Sequence, residues 1–394
     1  MDSVREFCRD DICQVAHLWL RVFHRSAART AKPLEDYFRQ IFFDNPWADE
    51  GLPSLVYEEP GRGITGFLGV IPRRMVFNGR RIRVAVASQL MVDGRAGAYP
   101  AAQLMRRLFA GPQDLAFSDG ANDFSERLWR ACGGDVAMLY SLQWTRILRP
   151  ILYARSLVRA RGGWHYALAA DALSPVCHAL DALLARTGPG SRWLPDCGDC
   201  TIVDDPADQG LYAQMRELAA GRRLQPGDDF ESFRWLLRRA GEKKMYGDLR
   251  RAMVLGPGGE VLGWYLCYVK RGAAAQVLQF GARPRAVQKV LNCLLYRARQ
   301  EGAVAISGEL EPRYTRDLAA SRCDFGWAGC AVVAHSRDPE LLNAIHRGDA
   351  FVSRLEGEWW ARFSDRGWVQ AEPEGEAPAE AVSRSEAPLP INIP

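Results

Sequence analysis

The spacing of apolar residues changes from helical to strand-like and back within the first 144 residues, and this order restricts the fold more than any single motif. Val15, Leu18, Trp19, Val22 and Phe23 recur at helical spacing behind Asp11 and Gln14, a pair that resembles a capping box. Pro33 suits a first helical turn and opens a second helix with Leu34, Tyr37, Phe38, Ile41 and Phe42 on one side. The period then falls to two. Residues 53–59 and 63–70 flank a Pro60–Gly61 turn, and Asn78–Gly79 separates a further run from a strand predicted over 82–92. A helix over 100–109, a strand over 114–119, a helix over 122–132 and a strand over 137–144 follow. The order is two helices, an antiparallel meander, and a strand–helix–strand crossover that makes the last pair parallel.

A weaker version of this order returns. Residues 201–205 read as a strand, 209–219 and 229–239 as helices, and 251–257 with 260–270 as a hairpin around Pro257–Gly258–Gly259. A strand over 277–281, a helix over 284–301 and a strand over 303–310 complete it. The clearest internal echo sets GRGITGF at 61–67 beside GGEVLGW at 258–264. We therefore expect a first domain over 1–149, a helical connector over 150–196 and a second domain over 197–368. From 369 to 394 the chain is rich in Pro, Glu and Ala and is predicted to be a disordered tail.

A chain of 394 residues exceeds what one hydrophobic core usually serves, in keeping with two domains. Its 51 Lys and Arg against 47 Asp and Glu are scattered, whereas a nucleic-acid partner would need a concentrated basic stripe. The apolar stretch near 164–186 is broken by Asp171, Pro175, His178 and Asp181, so no membrane span is expected. The acidic start MDSVREFCRDD is unlike a secretory leader, and the expected location is cytoplasmic. Ten dispersed cysteines then read mostly as small core residues. Cys197 and Cys200 have metal or redox spacing. No second pair and no suitably spaced His completes a zinc site, so CGDC is read as a turn and no metal is expected.

Two segments carry a family resemblance. They are LMVDGRAGAYPAAQLMRRL at 90–108 and NDFSERLWRACGG at 122–134, with Asn122, Ser125, Leu128–Trp129 and Gly133–Gly134 in register. With the element order, they make the chain resemble the GNAT (GCN5-related) N-acyltransferase superfamily. The resemblance implies an α/β (α+β) fold of two consecutive GNAT-like domains, each a mixed, mostly antiparallel sheet flanked by helices. It also implies acetyl-CoA or another acyl-CoA as co-substrate, bound by the first domain.

In such a fold the strand Leu90, Met91, Val92 splays from 114–119 and pairs its backbone with the pantetheine arm. The loop after it presents amides at a helix N-terminus, where pyrophosphate charge is favoured. Here Gly97, Ala98, Tyr99 and the amides of Ala101 and Ala102 would form that cradle, with Arg95 adding a cation. The usual Gln/Arg-x-x-Gly-x-Gly/Ala signature aligns only loosely, and Pro100 lacks an N–H. Asn122 and Ser125 would meet the donor. Trp129 stands where many relatives carry a tyrosine acid, and it would either meet the donor or serve only as a packing residue. The acid would be Tyr140 or a water, or the thiolate would leave unprotonated, and Asp119, at the end of its strand, would be the base or a cap for the following helix. In the second half the equivalent loop ARPRAVQKV has no glycine, and Glu311 stands at the Asn122 position, where it would repel phosphate.

The expected function is transfer of an acyl group, acetyl first, from acyl-CoA to a small-molecule or saccharide amine. One alternative is a non-catalytic tandem GNAT-like binding or scaffold protein. Another is a Fem-like aminoacyl transferase on a cell-envelope or polysaccharide precursor, whose charged-tRNA donor would want a basic groove.

Overall fold

The computed structural model describes residues 3–23, 31–94, 97–161, 173–186, 194–327 and 329–363. The tail expected from 369 lies outside them. In chain order the first elements are β1 (Ser3–Glu6), α1 (Ile12–Phe23), α2 (Lys32–Phe42), β2 (Leu55–Glu59), β3 (Gly63–Phe77) and β4 (Arg80–Val92). They continue with α3 (Tyr99–Phe109), β5 (Leu115–Ala121), α4 (Asp123–Ala131), β6 (Asp135–Val136), α5 (Met138–Ser141) and β7 (Leu142–Ile147). Next come α6 (Pro150–Arg161), α7 (Ser174–Arg186), β8 (Thr201–Asp204), α8 (Asp208–Ala219), β9 (Leu224–Pro226), α9 (Phe230–Glu242), β10 (Asp248–Leu255) and β11 (Val261–Val269). The last are β12 (Ala274–Ala282), α10 (Val287–Gln300), β13 (Ala305–Glu309), α11 (Thr315–Ala320), β14 (Asp324–Trp327), β15 (Ala331–His335) and α12 (Pro339–His346).

The strands form two mixed sheets. The first has the order β1-β2-β3-β4-β5-β15-β6, with β9 beside β3, and the second β14-β7-β13-β12-β11-β10-β8. Each is antiparallel except at one pair, β4 with β5 and β12 with β13. The expected fold class is the observed one. Local chemistry explains much of it. Asn78 and Gly79 both adopt positive φ, 49° and 81°, as the two-residue turn between β3 and β4 requires. The apolar face of α2 packs Phe38 and Phe42 onto Phe67 of β3, at ring distances of 5.4 and 5.5 Å. A side chain at Gly69 would collide with the Phe42 ring, so glycine lets the helix lie close to the sheet.

Two expectations change. Asp11 does not start α1 as its cap. It closes a short 3-10 turn, Arg9–Asp11, by accepting from the Cys8 amide at 2.9 Å, and the α-helix begins at Ile12. The run 137–144 is not one strand parallel to its predecessor. It turns through α5, and β7 then joins the second sheet between β13 and β14, antiparallel to both. The place beside β5 is taken by β15, also antiparallel.

The chain accordingly divides into two compact units: the described residues of 1–141, 222–240 and 330–363 form the first, and the second begins at Leu142. This partition differs from the sequential boundary at 149, because strands distant in sequence complete each sheet. The second unit's core gathers Trp144 of β7, Tyr265 of β11, Val277 of β12, Ile306 of β13 and Leu291 and Leu294 of α10. Within the connector, Asp181 of α7 accepts from the first-turn amides of Ile151 and Leu152 in α6 at 3.1 and 2.9 Å, which explains a buried acid in an apolar helix.

Candidate active site

The first sheet opens where its parallel pair ends. β4 and β5 pair only over Val84–Val86 with Leu115–Phe117, and beyond that the strands part. At the parting β4 carries a bulge, since Gly69 faces Ser88 while Phe67 faces Met91, and Gln89 takes a φ of 53°. The Gln89 side chain steadies this uncommon backbone. Its oxygen accepts from Trp19 Nε1 at 3.1 Å and its amide donates to the Tyr37 hydroxyl at 3.3 Å. Leu90 and Val92 are half-buried and Met91 is buried. The Ser88 hydroxyl, buried at the same place, has no hydrogen-bond partner among the described residues.

Beyond β4 the loop leads into α3. Gly97 is exposed with a φ of 70°, and Ala98 precedes the helix without a side-chain cap. The Ala102 amide already donates to Ala98 O at 3.2 Å, so it is not one of the donors expected there. Pro100 has none to give. Tyr99 and Ala101 are left as the first-turn amides without an intrahelical acceptor. The Tyr99 ring is 62% exposed and lies edge-on to Tyr57. Arg95 lies outside the described residues.

On the β5 arm the structure departs furthest from the sequence reading. Asp119 neither caps α4 nor faces solvent. Buried, it accepts from the backbone amides of Glu358 and Trp359 at 2.7 and 3.3 Å. Burial, and then the neighbouring Glu358 charge, push its carboxyl up to about 6. Glu358 accepts in turn from Ser118 Oγ at 2.8 Å and lies 3.9 Å from an Arg362 nitrogen. Phe363 then packs on Trp19 and Tyr37 at ring distances of 5.1 and 5.2 Å. The segment 357–363 thus touches Asp119 on one arm of the opening and, through Tyr37, the Gln89 bulge on the other.

The remaining expected residues are structural in their contacts. Asn122 is the cap of α4, its Oδ1 accepting from Ser125 N at 3.0 Å. Trp129 is buried, 5.0 Å from the Phe109 ring, with its carbonyl accepting from Gly134 N at 2.7 Å. Tyr140 is no free acid. Its buried hydroxyl donates to Ala350 O at 2.6 Å and accepts from Ala350 N at 3.1 Å, so both of its capacities are used.

Sequence reasoning missed Gln89, Glu358, Arg362 and Phe363. A signal existed in LEGEWWARF at 355–363, whose aromatic density stands out just before the polar tail. The second sheet opens in the same way, with β12 and β13 paired only over Ala274–Gln276 and Ala305–Ser307. There Arg283 is bound to Val261 O and Glu217, and Glu311 accepts from Arg313 N at 3.3 Å. Among the described residues no group of three His, Cys, Asp or Glu is arranged to hold a metal ion, and no helix is long and apolar enough to cross a membrane.

No family model matches the sequence, and no curated protein matches it. Solved structures do resemble it. A conserved protein of Enterococcus faecalis V583 described as a probable N-acyltransferase superposes with a TM-score of 0.54 at 9% identity, over 85% of this chain and 73% of that one. A GCN5-related N-acetyltransferase from Anabaena variabilis gives 0.54 at 11% identity, over 86% and 74%. Another from Kribbella flavida gives 0.52 at 11%, over 86% and 72%. The chain therefore has the GCN5-related N-acyltransferase fold, and its two sheets fit a tandem arrangement of that fold.

Proposed function

We propose that this chain is an acyltransferase that moves an acyl group, acetyl first, from acyl-coenzyme A to an amine at the opening of the first sheet. The observation that carries the reading is the parting of β4 from β5 at a bulge, with the N-terminus of α3 beyond one arm and a buried carboxylate pair on the other. The backbone of Leu90, Met91 and Val92, which β5 does not pair, offers hydrogen bonds to pantetheine amides and to a developing oxyanion. Gly97, Ala98, Tyr99 and Ala101 line the approach to the α3 amides, where pyrophosphate charge is favoured. The Asp119–Glu358 pair takes the proton of the attacking ammonium. With Asp119 held near 6, its carboxylate form is available at neutral pH. No side chain is assigned as acid. The leaving thiolate departs unprotonated or takes a proton from water.

Two arms test the proposal. Acetyl-CoA at about 100 times its dissociation constant should stabilise the protein by roughly 2.7 kcal/mol, read as a melting shift. An unchanged melting curve at millimolar donor would sink acyl-CoA binding and leave a scaffold. An amine screen for free-thiol release should then show turnover that falls below about pH 6 and drops in Asp119→Asn without loss of donor binding. If turnover in that variant is untouched across the pH range, the base is another group.

A further inference from the structure

Ser88 stands at the first level of the opening in the first sheet. Val86 with Phe117 is the last pair that β4 makes with β5, and the parallel register carried two residues further sets Ser88 level with Asp119. Side chains alternate along both strands, so the two lie on one face of the sheet. On the other side of β4, Ser88 pairs with Gly69, and the Phe42 ring fills the space a side chain at Gly69 would take. The shared face is therefore the one that α2 covers. Ser88 is 2% exposed, and its hydroxyl has no hydrogen-bond partner among the described residues. Its neighbours at this level are engaged: Gln89 bonds Trp19 and Tyr37, and Asp119 bonds two backbone amides. A hydroxyl desolvated without an acceptor destabilises the free protein, and a ligand that supplies the acceptor recovers the loss.

We infer, on the acyl-coenzyme A reading above, that Ser88 is a catalytic residue whose hydroxyl donates to the thioester carbonyl oxygen of the donor. The reacting carbon then lies between the Ser88 hydroxyl on one arm and the Asp119–Glu358 pair on the other. The carboxylate pair takes one proton from the ammonium, and the freed amine attacks the carbonyl carbon. The C=O electron pair moves to oxygen, where Ser88 and the backbone of β4 hold the charge. As the C=O bond re-forms, the C–S bond breaks, and the extra proton on the new amide nitrogen passes to water or to the departing thiolate. The balance is one ammonium and one thioester giving one amide, one coenzyme A thiol and one proton.

The test is Ser88→Ala in the full chain, read by melting, by calorimetry with coenzyme A and acetyl-CoA, and by the infrared carbonyl band of bound isotope-labelled acetyl-CoA. The free variant should melt higher than the unsubstituted chain, because a desolvated hydroxyl without a partner is removed. Acetyl-CoA should bind about two- to tenfold more weakly, while coenzyme A, which has no thioester carbonyl, binds as before. The carbonyl band should move to higher frequency as it loses a hydrogen bond. Turnover of the amine found by free-thiol release should fall by on the order of 10²-fold at every pH, with its pH midpoint unmoved. A lower melting temperature of the free variant, an equal loss of affinity for both ligands, an unshifted carbonyl band or unchanged turnover would overturn the inference while acyl-CoA binding stands. If the unsubstituted chain binds neither coenzyme A nor acetyl-CoA, the acyl-CoA reading falls and this role of Ser88 falls with it.

Discussion

At the scale of single residues, buried carboxyls set the pH response of the first unit. Glu356 is buried and accepts from Ser353 N and Oγ at 3.0 and 2.6 Å. Burial raises its carboxyl to about 7, an effect that these bonds and Arg73 oppose and Asp228 reinforces. Arg73 is itself engaged by Asp228 at 2.6 Å, so little of its charge is left to hold Glu356 ionised. A carboxyl that binds its proton more tightly when folded contributes stability that is present below its unfolded value and lost as pH rises through its folded one. For Glu356 the loss runs from about 4.5 to about 7. Glu356→Gln should therefore raise the melting temperature at pH 8, by on the order of 2 kcal/mol in stability, and change it little at pH 5. Equal effects at both pH values would show that the carboxyl does not titrate in that window. Asp119 has the same sign, with its loss ending near 6.

At the scale of elements, α4 separates two roles that its sequence left open. Asn122 caps it, so Asn122→Ala should cost about 1 kcal/mol. Trp129 fills the space between α3 and α4 against Phe109, and Trp129→Ala should cost about 3–5 kcal/mol through the cavity it leaves. Chemical denaturation of both variants measures these costs. The melting shift given by acetyl-CoA in Asn122→Ala should equal that of the unsubstituted chain, because the side-chain oxygen is already taken by Ser125. A diminished shift would return Asn122 to the donor site. The apolar face of α4 was legible from spacing alone. The partner of the Asn122 side chain was not, because a helix cap and a ligand contact draw on the same oxygen.

At the scale of the whole molecule, neither sheet is built from one continuous stretch. β5 is completed by β15, and β3 by β9, both beyond residue 149. A fragment of residues 1–149 would leave β5 as an open edge and lose the contacts of Asp119 with Glu358 and Trp359. Expressed alone, it should give no cooperative melting transition by circular dichroism. A soluble fragment that melts cooperatively would mean that the first sheet can close without β15.

Local periodicity determined the elements themselves. The faces of α1 and α2, the Asn78–Gly79 turn and the strand β4 follow from spacing and turn chemistry acting over a few residues, whereas β3 runs unbroken over Gly63–Phe77 where the spacing predicts a strand over 63–70 and a separate run before Asn78. Which sheet a strand joins did not follow. In β7 the side chains alternate between buried and half-buried, which says which face is covered but not which neighbour supplies the hydrogen bonds. That choice came from Trp144 entering the second core and from β15 filling the place beside β5. The Asp119–Glu358 contact spans 239 residues of chain, and two carboxylates brought together are visible to neither local period nor local charge. Only packing placed them side by side, where burial and the Glu358 charge raise the Asp119 carboxyl.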